Sequence, residues 1–142
     1  MSDPIGVVVE PRDPYGPSVL HTGGRLVYEI YVASGHFDRV ERLPITEAHA
    51  EVLSVDPRRY WLLFTALHHP YQLVETRLDP EQLTNYLDTI LFATPAVVEG
   101  FLTDLDHGSA NGALSNLLRI VLNADHPQMR AGRWFEAIRE TD

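Results

Sequence analysis

The sequence predicts an α+β fold, with an N-terminal antiparallel sheet of three or four strands packed against about five C-terminal helices. Three observations carry this expectation. Before Thr46 the residues follow a period of two, broken by Gly and Pro turns. After Thr46, four X-Pro pairs mark helix starts, because proline suits the first helical turn, where an N–H has no partner. Behind those starts apolar residues recur at i, i+3, i+4 and i+7. No internal repeat, low-complexity tract or linker divides the 142 residues, so 1–142 is read as a single domain.

A short strand at 5–10 sends Val7 and Val9 to one side. Pro11, Pro14, Gly16 and Pro17 then stiffen a loop. Segments 18–22 and 25–32 flank Gly23-Gly24, a two-residue link able to supply the positive φ angles of a hairpin turn. In the second of these, Leu26, Tyr28, Ile30 and Val32 alternate with Val27, Glu29 and Tyr31. Ser34-Gly35 turns the chain again, and 36–43 returns through Phe37, Val40 and Leu43. Segment 71–78 reads equally as a further strand or an irregular link.

The helix starts are Asp56-Pro57, Asp79-Pro80, Thr94-Pro95 and His126-Pro127. In the first three the residue before proline is a good N-cap, and Gln82 completes a capping box with Asp79. Clean stripes follow: Leu83, Tyr86, Leu87, Ile90, Leu91, then Val97, Val98, Phe101, Leu102, Leu105. Leu114, Leu117, Leu118, Val121 and Leu122 form another, ahead of Trp134, Phe135 and Ile138. Tyr60 to Phe64 is apolar all round, which makes the helix after Pro57 the central one.

The net charge is −9, and all 11 cationic residues are arginine, with no lysine. Arginine codon bias of a GC-rich genome accounts for this more simply than avoidance of lysine modification. Such acidity repels nucleic acid and favours basic partners. With no cysteine, disulfides, thiolate nucleophiles and Cys-based metal sites are excluded. The N-terminus lacks a signal-peptide pattern, and no run reaches the ~20 apolar residues of a membrane span. A cytoplasmic protein is expected.

No chemical motif stands out. Adjacent His68 and His69 point about 100° apart on a helix and cannot readily share an ion; near its C-terminus their partial positive charge suits the dipole. The sequence has no His-Glu-x-x-His pair, nucleophile elbow or phosphate loop. Neither metal nor cofactor is expected. Arg58 and Arg59 open a helix, an unfavourable end for cations, and should find an acidic neighbour such as Glu51 or Asp56. Arg130 and Arg133 beside Trp134 could suggest a nucleic-acid contact, which the overall acidity opposes.

Asp104 and Asp106 fall in the last turn of a helix, ahead of Gly108, where carboxylates oppose the dipole. Glu99, Thr103 and Asp106 line up on what should be its solvated side. The expectation is a negative patch of Glu99, Asp104 and Asp106 held for a basic partner, whose removal should leave stability level. Glu47 and Glu51 on the first helix, with Asp88 on the third, are the next acidic candidates.

Beside this reading, the chain resembles the small acidic immunity proteins of bacterial toxin systems. The likeness lies in size, acidity, the strand Tyr28-Glu29-Ile30-Tyr31, and the passage Arg39-Val40-Glu41-Arg42-Leu43-Pro44-Ile45-Thr46-Glu47. The resemblance implies a protein that blocks a cognate toxin domain by covering its active site. Two other classes stay open. One is a small enzyme or ligand-binding domain whose pocket gathers His21, His36, Asp38, His68 and His69. The other is a dimerising domain with an apolar patch on its last helix.

Overall fold

The computed structural model describes residues 6–13, 16–34 and 37–138. Four strands form one antiparallel sheet in chain order: β1 (Gly6–Val9), β2 (Ser18–Thr22), β3 (Arg25–Ser34) and β4 (Phe37–Ile45). Gly23 and Gly24 take φ of 58° and 76°, so the hairpin turn uses the freedom only glycine has at both positions. Thr22 then pairs with Arg25 and Val19 with Tyr28.

The helices follow as α1 (Glu47–Val55), α2 (Pro57–His68), α3 (Pro80–Phe92), α4 (Pro95–His107) and α5 (Ala113–Leu122), with the short α6 (His126–Arg130) and α7 (Trp134–Ala137). Segment 71–78 is the irregular link: two 3-10 turns, Pro70–Gln72 and Val74–Thr76, occupy this stretch. None of the described helices is long and apolar enough to cross a membrane.

Period two sorts the sheet into faces. Tyr28, Ile30 and Val32 are fully buried, whereas Val7, Tyr31 and Val40 on the opposite face are about half exposed. α2 fills the centre, as its all-round apolarity predicts: every residue from Tyr60 to Leu67 is buried. One core cluster runs from Val9 to Ile138.

The edge strand β4 carries charge on its inner face. Glu41, opposite Ile30, accepts from Arg77, and Arg39 donates to the Tyr71 carbonyl. Inward charges with Pro44 blunt this edge against pairing with a further strand.

The helix starts largely follow the proline signals. Asp56 accepts from Arg59 N, and Asp79 with Gln82 forms the expected reciprocal capping box. Two starts differ. Thr94 makes no side-chain cap, and α6 is capped one residue earlier, by Asp125 on the N–H of Gln128. The stripes hold except at Val97, which is exposed beyond the α4 core face. Asp79→Ala is expected to cost about 0.5–2 kcal/mol in chemical denaturation, because the N–H of Gln82 loses its partner.

α1 begins with a capping box that uses histidine. Thr46 Oγ1 accepts from His49 N at 3.2 Å, and His49 Nδ1 accepts from Thr46 N at 3.1 Å. With Nδ1 accepting, the proton resides on Nε2, which lies 2.7 Å from Asp88 Oδ1 on α3. The buried ring also stacks on Phe92, centroids 5.1 Å apart. His49 therefore starts one helix and fastens it to another.

Candidate functional site

The acidic stripe expected on the solvated side of α4 is a seam on which the C-terminal segment docks. Glu99 is half-buried and its Oε2 accepts from the N–H of Phe135 at 3.2 Å. Thr103 Oγ1 accepts from Trp134 Nε1 at 3.1 Å and donates to the Glu99 carbonyl. Asp106 is fully buried. Its Oδ1 accepts from Ser115 N at 3.0 Å and its Oδ2 from Arg130 Nη1 at 2.9 Å.

That arrangement corrects the reading of Asp106 as an exposed partner-binding residue. The carboxylate does sit at the C-terminal end of α4, yet the turn at 108–112 brings it over the first turn of α5. There Gly112 supplies no cap of its own, and the N–H dipoles of α5 favour a negative charge. Arg130 is likewise a structural partner of a carboxylate, not a free cation for nucleic acid. Glu99 is committed to the same seam. Asp104 alone of the three stays exposed.

Arg59 meets the expectation for a cation at a helix start. It lies 3.3 Å from Asp56, donates to the Ile90 carbonyl, and covers the Phe135 ring at 5.5 Å. Arg58 donates to the Ile138 carbonyl.

The dispersed pocket of the enzyme reading is not assembled from its described members. His21 is exposed on β2. His68 packs edge-on to Phe64, with its pKa pushed down by burial and by His69 beside it. This opposes the partial positive charge expected of it at the helix end. His69 lines a cavity that neither His21 nor His68 shares. His36 and the side chain of Asp38 lie outside the described part of the structure. Among the described residues, no group of three or more His, Asp or Glu could hold a metal ion.

The remaining acidic candidates, Glu47 and Glu51, do share a site. They stand one turn apart on α1, both exposed, along the wall of an open groove of about 400 Å³. Ala50, Ser54 and Val55 continue that wall, and Val8 and Leu26 of the sheet face it. Val8 is there because of a β-bulge. Val7 pairs with Leu20 and Val9 with Val19, so Val8 is the extra residue. Val8 and Val55 are 48% and 71% exposed, an apolar lining left open to solvent. Among the described residues neither Glu47 nor Glu51 has an ion-pair partner.

Sequence reasoning missed two contributors. The bulge at Val8 leaves no residue signature, since Val7-Val8-Val9 reads as uniform strand. Thr46 and His49 stand at capping-box spacing, but with histidine where glutamate or glutamine is usual. The chain matches no protein-family model, no curated protein and no solved structure.

Proposed function

We propose that this chain is a protein-binding domain that takes a basic, partly apolar segment of a partner into the groove between β1 and α1. The observation that carries the reading is the combination of Glu47 and Glu51, without an ion-pair partner among the described residues, with exposed Val8 and Val55 along one groove. Two neighbouring carboxylates attract a guanidinium or ammonium group, and the apolar lining rewards the removal of water around it. A net charge of −9 extends that attraction to the approach of the partner.

The finer reading is an immunity protein, acting in the cytoplasm, that neutralises a cognate toxin domain. Its small size and strong acidity support this, because a rapid, tight block of a basic enzyme relies on electrostatic steering.

The test is capture from lysate of the source cell on immobilised full-length chain. A basic protein should be retained at low salt. Glu47→Arg/Glu51→Arg should lose it, and Asp104→Asn should keep it. Expressed alone, the captured protein should arrest growth, and co-expression with this chain should restore it. Retention by the double arginine variant, or an acidic partner, would overturn the groove. A captured protein with no effect on growth would overturn the immunity reading alone.

A further inference from the structure

The α1 groove does not end at Val55. That residue, the last of α1, also lines a second open basin of about 400 Å³, at the corner where α1 passes into α2. Pro57 at the start of α2, Pro95 at the start of α4 and Phe135 on α7 supply the rest of its apolar wall. The groove wall on α1 is Glu47, Ala50, Glu51, Ser54 and Val55, one face of the helix from its first residue to its last. The groove therefore runs along the helix axis, from the carboxylates towards this corner.

The basin offers a guest different chemistry. Its cations are spent within the fold: Arg59 on Asp56, the Ile90 carbonyl and the Phe135 ring, and Arg58 on the Ile138 carbonyl. Asp56 is occupied in turn, as the cap of α2. Apolar surface is what remains. Pro95 is itself exposed and belongs to a corner, 92–97, without a charged residue, whose Phe92 and Val97 are about half exposed. Exposed apolar surface beside a groove marks a contact site.

We infer that the partner's segment is bipartite, with a basic residue on Glu47 and Glu51 and a bulky apolar side chain past Val55, against Pro57, Pro95 and Phe135. This rests on the groove reading and adds its register. From Glu51 and from Glu47 the helix rises about 6 and 12 Å to Val55. An extended segment covers that in about two to four residues, and the basin lies beyond, so the two determinants stand about four residues apart. Charge on α1 steers the encounter, whereas burial in the basin slows departure and selects among basic segments.

The experiment is an amide NMR titration of the full chain with short, uncharged-end Gly/Ser peptides. One carries Arg-Arg alone, a second adds Trp directly beside the arginines, and a third places Trp about four residues away on either side. Arg-Arg alone should shift 47–55 weakly. Trp at the longer spacing should bind at least about fivefold tighter and extend the shifts to 57, 95–97 and 135. Trp beside the arginines should add little, and Pro95→Ser should bring the third peptide close to the first. If Pro95→Ser fails to fold, the comparison of spacings in the unmodified chain decides. Binding at 47–55 with no gain from Trp, or an equal gain at both spacings, would overturn the bipartite segment and leave the groove standing. No shift at 47–55 with any peptide would overturn both.

Discussion

Arg130→Ala is expected to destabilise the protein by about 3–5 kcal/mol, because it strands a buried carboxylate. Asp106 is fully buried, while the Arg130 side chain is 38% exposed. The two members of the pair are therefore unequal. Without Arg130, the Asp106 carboxylate keeps, among the described residues, the N–H of Ser115 alone, and its charge remains inside the protein. Without Asp106, the guanidinium can turn to water, and the main loss is a cap on α5. Asp106→Ala should accordingly cost less, about 1–3 kcal/mol, for one orphaned buried N–H. Chemical denaturation of the two variants should reproduce this order. A negligible loss for Arg130→Ala beside a clear one for Asp106→Ala would mean that Asp106 acts only as a cap and that Arg130 adds nothing.

Trp134→Ala should cost about 3–5 kcal/mol through the cavity it leaves. The indole is wholly buried and its Nε1 donates to Thr103, one residue before Phe135 donates its N–H to Glu99. α7 has only four residues, too few to be stable alone. Packing of the indole is what fastens it to α4. A thermal or denaturant melt should show the loss, and hydrogen exchange should quicken first at 126–138. A loss below about 1 kcal/mol would mean that the C-terminal segment is held elsewhere.

Architecture was legible in this chain where local chemistry decides it. Gly23-Gly24 needs positive φ at both positions, and Asp79 with Pro80 and Gln82 specifies a helix start regardless of what packs behind. The all-round apolarity of Tyr60 to Phe64 identified the central helix. The site was less legible. The stripe of Glu99, Thr103 and Asp106 looks solvated because its partners, Arg130, Trp134 and Phe135, lie some 30 residues further along the chain. Helical periodicity distinguishes polar from apolar faces, but cannot say which polar face another segment will cover. Val8 was hidden for the reason that a bulge adds one residue without changing composition. That Glu47 and Glu51 stand exposed on α1 was legible, because charge at i, i+4 is a local property.

The central claim is that the wall of the α1 groove receives a basic partner, and its most direct test is an association rate. With the captured partner, the rate should be measured at low and at near-physiological ionic strength, for the unmodified chain and for Glu47→Arg/Glu51→Arg. Steering by the groove predicts at least a roughly tenfold slower association of the double variant at low salt, a gap that narrows as salt screens the field. Asp104→Asn should change the rate far less. An unchanged rate for the double variant at both ionic strengths, with Asp104→Asn slowed instead, would contradict the account and move the interface to α4.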